Sequence, residues 1–570
     1  MCGFKAEKEI EMKEDNWYIY SLVSLFFVSL MLRLIMPLQF SVWGPDTGEN
    51  YYIVHYFAST GSMPQPYYGY GQTYTEFPGV YELLGSLSAI SGMPAATITE
   101  LGMPFITSVL VFPVASIGRK LSGSRHIALA SSLFYSTSVI IVGHTSIISS
   151  DTMGEVLLIF FLYFYTSSPD SMFGFAGMLL SMFAMVPTYH LGMVFVLGFL
   201  YIALFCYSFF RRSEKREMKL LIVALTTGIS VALPYWFFLA PEFRSMFILG
   251  RIATPVIVAA PYILLAAIAL AGQYSPWQQL TVRGRNGESG AKLYVLAAVV
   301  ISLLSVSAVA VYGLSSIPVK PGADVMLFVP TLVFSLVGGA FCMRFSLKKF
   351  ENAIFGVFVA LIMLITVAGM LTGIAYLVPL RIVEYLSLLL AFSAGFGLVT
   401  SIRLFFRPEG KMAASVIIAL IVILAGMSAT FLSTSLSAPS KIGATPPGDL
   451  DAANWIKWNT QGNAVFAGDH RVSSIIFGYG ARNATWEFGG AAIFGSTTLS
   501  TLLSNLNASQ TPSGVRHVDY VMIDGEMVSA ANFYPNHPDY SLNSQTLALF
   551  KTDYFMELYT NGYATVYAYV

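Results

Sequence analysis

Charged residues are scarce in this chain. Asp, Glu, Lys and Arg make up 11% of its 570 residues, against about 25% in a typical soluble domain, and a soluble protein of this length could not cover its surface with so few. The 31 basic and 31 acidic residues balance, so no net charge points to nucleic acid. The three cysteines lie far apart and offer neither a disulfide framework nor the spacing of a metal site. Because 55% of the residues are hydrophobic, the composition predicts a polytopic membrane protein.

Long apolar runs fill the first three quarters of the chain. About 20 apolar residues in a helix span the hydrocarbon core of a bilayer. The first run follows a charged leader and has no small-residue cleavage site, so it predicts a signal anchor rather than a cleaved signal peptide. The thirteen runs lie near 17–38, 97–118, 126–147, 152–168, 171–188, 190–210, 219–240, 255–274, 293–313, 325–344, 352–376, 383–401 and 412–434.

The basic residues predict the orientation of these runs. If the N-terminus is cytoplasmic, the inner segments hold 20 Lys and Arg residues and the outer loops hold 4. Lys and Arg accumulate in cytoplasmic loops. The asymmetry therefore favours a multi-pass protein of the cell membrane with an odd number of spans, a cytoplasmic N-terminus and an extracellular C-terminus.

The character of the chain changes after the last run. Residues 435–447 are rich in Ser and Pro and predict a linker, whereas 448–570 have no membrane-length apolar run and predict a soluble α/β domain. The predicted organisation is a transmembrane domain of about 13 helices over 1–434, the linker, and the external α/β domain. The elements predicted in that domain are a helix over 449–459 and strands at 464–467, 518–523 and 565–570.

The first predicted outer loop, residues 39–96, contains no Lys or Arg but is rich in tyrosine. Its apolar stretch 77–92 is too short for an ordinary span. If this stretch crossed the membrane, the next positive cluster would lie outside. We therefore interpret it as an interfacial helix on the outer leaflet.

Asp46, in this loop, is the first candidate for chemistry. It follows a Gly-Pro turn at the predicted membrane surface, where a carboxylate could accept the proton of an acceptor hydroxyl as a general base. Asp46 and Glu49 also have the spacing of a capping box for a helix over 47–58. The two interpretations are compatible, and both stay open at this point.

Asp151 and Glu155 form a second acidic pair, at the predicted outer start of the fourth span. His144 precedes them by one to two helical turns on the same side. The pair could orient a sugar or an acceptor. Alternatively, Thr152 and Glu155 could simply cap the helix.

The remaining candidates are one histidine and three arginines at predicted outer ends of spans. His190 either contacts a polar cavity or is a satisfied turn residue. Arg381 lies in the first turn of a helix, where a cation is unfavourable, so its partner is either Glu384 or a bound phosphate. Arg244 and Arg251 could assist in binding that phosphate.

Several short motifs together resemble the GT-C superfamily of membrane glycosyltransferases, with the external domain of its archaeal members. The resemblance covers most of the chain in architecture. The motifs are Arg33, Pro45-Asp46-Thr47-Gly48-Glu49, Phe77-Pro78-Gly79-Val80-Tyr81, Gly118-Arg119-Lys120-Leu121-Ser122-Gly123-Ser124-Arg125, Asp151, and the stretches 452–458 and 519–523.

The resemblance implies a donor, a reaction and a set of roles. Enzymes of this superfamily take sugars from polyprenyl phosphates. By resemblance, Asp46 is the catalytic base and Arg381 binds the phosphate. A divalent cation (Mg or Mn) would be held by Asp46 and Asp151 if the enzyme is metal-dependent; the superfamily also has metal-independent branches. The implied substrate-binding residues are Glu49, Asp151, Glu155, His190, Arg244, Arg251 and Arg381.

The implied reaction is the transfer of a single sugar. The WWDYG signature of oligosaccharyltransferases is absent, and the nearest string is Thr485-Trp486-Glu487-Phe488-Gly489. We therefore expect transfer from a polyprenyl (dolichyl) phosphate, with inversion, to a hydroxyl of a glycan, a lipid or a protein, rather than transfer of a whole glycan to asparagine.

A transporter or lipid flippase with an external binding domain is the competing hypothesis. Such proteins carry ionisable residues in mid-membrane and internal repeats. The runs contain almost no mid-span charge other than Arg33, and no repeat is visible. The clustering of polar residues at one surface favours the enzyme.

Overall fold

The computed structural model describes most of the chain. The chain separates into two compact units. Unit 1 comprises residues 1–33, 105–145 and 150–431; unit 2 comprises 34–104, 146–149 and 432–570. The described residues are 2–40, 42–167, 171–210, 215–245, 253–273, 335, 354–359, 361–362, 379–405, 444–533, 537–540, 542 and 544–570.

Helices dominate the described part of the chain before residue 406. In the turn before α2, Gly44 has a φ of 107°, which favours glycine. Ser138 has an extended backbone, which separates α6 from α7. The elements are α1 (Cys2–Gln39), β1 (Val42–Trp43), α2 (Thr47–Thr60), a 3₁₀ turn (Tyr74–Glu76), α3 (Gly79–Ser91), α4 (Ala95–Val109), α5 (Val111–Ser122), α6 (Arg125–Thr137), α7 (Val139–Thr145), α8 (Ser150–Ser167), α9 (Met172–Met185), α10 (His190–Phe210), α11 (Lys215–Pro234), a π-helical turn (Tyr235–Leu239), α12 (Pro241–Ser245), α13 (Ala253–Gln273) and α14 (Pro379–Phe405).

Within the described residues, five helices are long and apolar enough to cross a membrane. The pair α6 and α7, bent by 59°, makes a sixth candidate if it is one span. This confirms the polytopic α-helical membrane class. The five helices are Asn16–Gln39, Ala95–Ser122, His190–Phe209, Lys215–Leu239 and Ile382–Val399.

The predicted number of thirteen spans stays a prediction. Runs 152–168 and 171–188 form α8 and α9, which do not meet the same criterion of length and composition. The run 255–274 forms α13, a helix of 21 residues. The runs 293–313 and 412–434, all of 325–344 except Ser335, and most of 352–376 lie outside the described residues.

The C-terminal part of unit 2 is built on a five-stranded sheet of order β10-β11-β7-β3-β4. Strand β3 is parallel to β4 and β7, and β11 is antiparallel to β7 and β10. The elements are β2 (Ala444–Thr445), α15 (Pro447–Asn459), β3 (Val465–Ala467), α16 (His470–Gly478), β4 (Asn483–Ala484), α17 (Trp486–Phe494), α18 (Leu499–Asn507), β5 (Ser509–Thr511), β6 (Gly514–Arg516), β7 (Tyr520–Asp524), α19 (Gly525–Ala530), β8 (Ala531–Phe533), β9 (His537–Tyr540), α20 (Ser544–Leu549), β10 (Phe555–Thr560) and β11 (Ala564–Tyr569).

The predicted α/β character of this region is confirmed. The predicted helix over 449–459 is α15, and the three predicted strands are β3, β7 and β11. Short apolar runs predict β3 and β7 as buried strands, and the structure buries all of β3 and all of β7 except Tyr520. Phe466, Ile476 and Val521 lie in the hydrophobic core of this region and are fully buried.

The loop 39–96, predicted to be external, belongs to the same unit as the C-terminal sheet. Strand β1 pairs antiparallel with β2. Helix α2 packs closely on α16. A Cβ added at Gly48 would collide with the Ser474 carbonyl, and a Cβ added at Gly478 would collide with the Gly48 carbonyl, so the close approach requires glycine at both positions. The loop and the C-terminal region therefore form one folded body.

The apolar stretch 77–92 forms helix α3, as predicted. Val80 and Leu84 on one face are buried, whereas Ile90 is 86% exposed. A helix with one buried face and exposed apolar residues elsewhere is compatible with an interfacial location, which stays a prediction.

A buried ion pair network joins α16 to the sheet of unit 2. The Arg471 guanidinium contacts Asp449 on α15 through one nitrogen and Asp524 on β7 through another. All three side chains are fully buried. The two carboxylates hold the pKa of Arg471 well above its usual value against the effect of burial, so the guanidinium is a permanent charge. Because Arg471 follows His470, this network orients the first turn of α16.

Candidate active site

Asp46 stands at the start of α2 with part of its carboxylate accessible. Its Oδ1 lies 2.6 Å from Nε2 of His470, and its Oδ2 accepts a hydrogen bond of 2.9 Å from the Tyr74 hydroxyl. The Asp46 side chain is 31% exposed, whereas that of His470 is 5% exposed. The carboxylate is thus oriented by two partners and still open on one side. We call Asp46, Glu49, Tyr67, Tyr74 and His470 the Asp46 cluster.

The capping-box interpretation of Asp46 and Glu49 is wrong. Asp46 makes no side-chain cap hydrogen bond to α2. Glu49 instead turns to the tyrosine-rich loop, where its Oε1 accepts hydrogen bonds from the Tyr67 hydroxyl and from the Gly71 amide, the latter at 2.9 Å. Long-range partners have replaced the local pairing that the spacing favours.

Glu49 is a buried carboxyl with a perturbed proton affinity. Burial and, after it, the negative charge of Asp46 together raise its pKa to about 8, against the opposing effects of the two donors and of His470. Its other oxygen, Oε2, is buried and has no hydrogen-bond partner among the described residues. Glu49 is therefore mainly protonated at neutral pH. Burial likewise raises the pKa of Tyr67 and of Tyr74, so both phenols remain donors.

His470 is absent from the sequence predictions. It begins α16, whose first turn is capped by Asp469 through a 2.8 Å hydrogen bond from the Val472 amide. Its ring lies edge-on to Tyr70 and Trp486, with centroids 5.0 and 5.6 Å away. The one signal in the sequence is its place directly after the buried strand β3, and nothing local links it to a loop 424 residues away.

A second cluster lies in unit 1, and we call its members His144, Asp151, Glu155 and Glu384 the His144 cluster. His144 lies in the last turn of α7, the two acids stand in the first two turns of α8, and Glu384 lies in α14. The His144 Nδ1 is 3.1 Å from Glu384 Oε1. Its Nε2 is 3.9 Å from Asp151 Oδ2 and 3.9 Å from Glu155 Oε1. One imidazole is thus surrounded by three carboxylates.

The capping alternative for Thr152 and Glu155 is also wrong. Helix α8 begins at Ser150, so Thr152 lies inside it. The Thr152 hydroxyl is 3.3 Å from His144 Nε2. Both residues of the supposed cap are part of the surroundings of His144.

Arg33 is fully buried beside α6 and α7. Its Nε donates to Thr145 Oγ1 at 2.8 Å, and Nη1 donates to Ser29 Oγ at 2.6 Å. Its guanidinium carbon lies 4.9 Å from the centre of the Tyr135 ring. Arg33 thus contacts Thr145, which follows His144 in α7, and Tyr135 in α6.

The other predicted residues are distributed elsewhere. His190 starts α10, and its ring lies 4.4 Å from that of Phe243. Arg244 is exposed in α12 and donates to the Phe237 carbonyl at 3.3 Å. Arg381 stands in the first turn of α14; its side chain, like all of Arg251, lies outside the described residues.

Metal-ligating atoms come together in the His144 cluster. Single donor atoms of His144, Glu155 and Glu384 lie within 4.8 Å of one another. The predicted pair of metal ligands, Asp46 and Asp151, is divided between the two units, and their joint role stays a prediction.

Sequence comparisons find no matching protein-family model and no matching curated protein. Solved structures do match. An oligosaccharyltransferase of Archaeoglobus fulgidus in complex with Zn and sulfate has 14% identity and a TM-score of 0.59, covering 96% of this chain and 73% of its own. The same enzyme tethered to an acceptor peptide with an NVT sequon also has 14% identity and a TM-score of 0.59, with coverages of 97% and 74%. ArnT from Cupriavidus metallidurans has 11% identity, coverages of 98% and 98%, and a TM-score of 0.42. The archaeal oligosaccharyltransferase has the GT-C fold, so the predicted GT-C-like fold is confirmed.

Proposed function

We propose that this protein is a membrane glycosyltransferase that moves one sugar from a polyprenyl phosphate to a hydroxyl of a glycan, lipid or protein on the external face. The observation that carries the proposal is the Asp46 carboxylate, partly accessible at the start of α2 and held by His470 and Tyr74. The fold shared with GT-C enzymes and the membrane-length helices support it. The external location rests on the distribution of Lys and Arg.

Asp46 acts as the general base in this proposal. Its carboxylate takes the proton of the acceptor hydroxyl, the acceptor oxygen bonds to the anomeric carbon, and the bond from that carbon to the phosphate oxygen breaks with inversion. The polyprenyl phosphate leaves with the electron pair. A positioned base contributes about 10²–10⁴-fold to such a reaction.

The neighbours of Asp46 suit this role. Because Glu49 holds its proton with a pKa of about 8, it adds no full negative charge beside Asp46 at neutral pH, and acids with separated proton affinities are typical of sites where one carboxylate is the base. His470 and Tyr74 donate to different oxygens of Asp46 and so orient it.

The donor's phosphate and sugar are assigned to the other predicted residues. Arg381, with Arg244 or Arg251, is proposed to bind the phosphate, since arginine forms paired hydrogen bonds with phosphate oxygens. Asp151, Glu155 and His190 are proposed to orient the sugar or the acceptor. A divalent ion, if bound, would neutralise phosphate charge. The Zn in the archaeal neighbour and its acceptor peptide support keeping a metal and a protein acceptor within the proposal.

The test is a turnover assay with the purified full chain and a panel of synthetic polyprenyl-phosphate sugars, measuring release of polyprenyl phosphate. We expect Asp46→Asn to lower turnover by about 10²–10⁴-fold. Asp451→Asn, which removes an exposed carboxylate of the same unit, is the matched control and should retain full activity. Full activity of Asp46→Asn would reject the assignment. Lipid movement across a vesicle membrane without sugar release would favour the flippase.

A further inference from the structure

Three tyrosine rings lead from the Asp46 cluster along helix α2. Tyr67, whose hydroxyl donates to Glu49, has its ring centre 6.4 Å from that of Tyr52. The Tyr52 ring is 6.1 Å from that of Tyr56, which lies about one helical turn further along α2. We call Tyr67, Tyr52 and Tyr56 the tyrosine track. Its rings follow one another at intervals similar to the length of one hexose unit.

The track extends away from the carboxylate of Asp46. Asp46 directly precedes α2, and Tyr52 and Tyr56 follow it by 6 and 10 residues. At a rise of about 1.5 Å per residue, these two tyrosines lie about 9 and 15 Å further along the helix axis. A ligand that reaches Asp46 and also covers both rings is therefore longer than a monosaccharide.

Packing holds these rings in place and leaves part of each accessible. The Phe477 ring on α16 lies 4.7 Å from that of Tyr52 and 5.8 Å from that of Tyr67. Beside them, the Tyr51 ring on α2 stacks on that of Tyr479 at 4.2 Å, which fixes α2 against the end of α16. All three tyrosines of the track nevertheless remain partly exposed. Side chains that are already ordered lose little conformational freedom when a ligand binds.

The chemistry of the track suits a carbohydrate. A hexopyranose has a flat face of C–H groups and an edge of hydroxyls. The electron-rich face of a tyrosine ring attracts such C–H groups, and its phenol forms hydrogen bonds with hydroxyls. The segment 39–96, which supplies all three tyrosines, contains no Lys or Arg. An anionic ligand would find no Lys or Arg counter-charge in this segment, so a neutral saccharide fits the track better.

We propose that the tyrosine track binds a neutral oligosaccharide acceptor, whose terminal hydroxyl reaches Asp46 while its next sugar units lie along Tyr67, Tyr52 and Tyr56. This inference rests on the proposed function, and it selects the glycan among the glycan, lipid and protein acceptors named there. Because each ring contacts a different section of the ligand, the affinity increases with the number of sugar units.

The first test measures binding without a donor. The purified full chain in detergent is titrated with glucose, mannose and N-acetylglucosamine oligosaccharides of one to four units, followed by calorimetry and saturation-transfer NMR. We expect the affinity to rise from one unit to three in at least one series, since every hexopyranose has a C–H face. Tyr56→Ala should weaken binding of that trimer by about 3–10-fold and leave binding of the monosaccharide unchanged. Tyr56→Phe keeps the ring and should retain most of the affinity.

Tyr554→Ala is the matched control, because it removes a tyrosine of the same unit that is 46% exposed, and it should bind as the wild type does. Tyr56→Leu keeps apolar bulk without the ring and should show the same loss as Tyr56→Ala; an unchanged melting temperature of either variant separates lost binding from misfolding. The proposal is overturned if the wild type binds no oligosaccharide, if affinity is independent of length in every series, or if both variants bind the trimer normally.

The second test separates this inference from the proposed function. In the turnover assay, the KM of the trimer should be lower than that of the monosaccharide, and Tyr56→Ala should raise the KM of the trimer with kcat unchanged. Transfer that depends on Asp46 but is equally efficient with monosaccharides would reject the acceptor site and keep the transferase. Length-dependent binding without any transfer would keep the glycan site and reject the transferase.

Tyrosines also gather where a protein meets the membrane interface. Melting of wild type and Tyr56→Ala is therefore compared in detergent and in phosphatidylcholine nanodiscs. We expect the same small difference in both. A loss of stability in nanodiscs alone, with oligosaccharide binding unchanged, would assign the track to the membrane and overturn the proposal.

Discussion

Nε2 of His470 lies 2.6 Å from Oδ1 of Asp46, although 424 residues separate them in the chain. The contact brings a residue of the C-terminal sheet region to the catalytic candidate of the first loop. Both belong to unit 2. The C-terminal region is therefore part of the Asp46 cluster rather than an appendage.

His470→Ala should lower kcat by about 10–100-fold, the value of a hydrogen bond to a charged group, because Asp46 loses the partner that orients Oδ1. His470→Gln retains a donor and should recover part of the activity. His517→Ala, at an exposed histidine of the same region, is the control. Steady-state turnover with a saturating lipid donor measures the effect; equal loss in Ala and Gln variants would contradict an orienting role.

Glu49 should make stability depend on pH. Burial raises its pKa from 4.5 to about 8, so between those pH values the folded protein holds a proton that the unfolded chain has released. The free energy of unfolding must then fall as the pH rises through this range. Glu49→Gln should remove this part of the decline, as thermal melts at pH 5, 6, 7 and 8 would reveal. If wild type and variant change in parallel, Glu49 does not hold the proton.

Gly48→Ala should displace α16 from α2. A Cβ at Gly48 would collide with the backbone carbonyl of Ser474, and backbone cannot move aside as a side chain can. Overpacking of this kind costs about 1–3 kcal/mol, and the shift would also disturb His470. The melting temperature and turnover should both fall. Gly462→Ala, where a Cβ meets nothing within 4 Å, should change neither.

Arg471→Met should destabilise unit 2 by about 3–5 kcal/mol, because the carboxylates of Asp449 and Asp524 would remain buried without their counter-charge. The expected result is a lower melting temperature of the full chain, together with earlier proteolysis of the C-terminal region. Arg516→Gln, at an exposed arginine, provides the comparison. A melting temperature equal to that of the wild type would mean that the network contributes little.

The elements that local pattern identifies were the ones predicted correctly. The length of the apolar runs predicted the membrane-length helices near 17–38, 190–210 and 383–401, and short buried apolar runs predicted strands β3 and β7. These features are local because a helix or strand buries one face through residues a few positions apart. Asp46 was selected as a candidate in the same way, as an acid just beyond a span, and its role stays a prediction.

Local sequence patterns could not predict the hydrogen-bond partners of the candidate residues. The spacing of Asp46 and Glu49 indicated a cap, yet Glu49 turned to Tyr67 and Gly71, and Asp46 to His470. The pairing of Glu384 with His144 across 240 positions is equally invisible in the sequence.

Composition and periodicity thus establish a membrane protein with an α/β C-terminal region, because hydrophobic burial acts on every residue and leaves a regular trace along the chain. The choice of ion pairs and hydrogen bonds between distant residues belongs to the folded state alone. Such contacts depend on which surfaces meet, and each involves too few residues to leave a pattern.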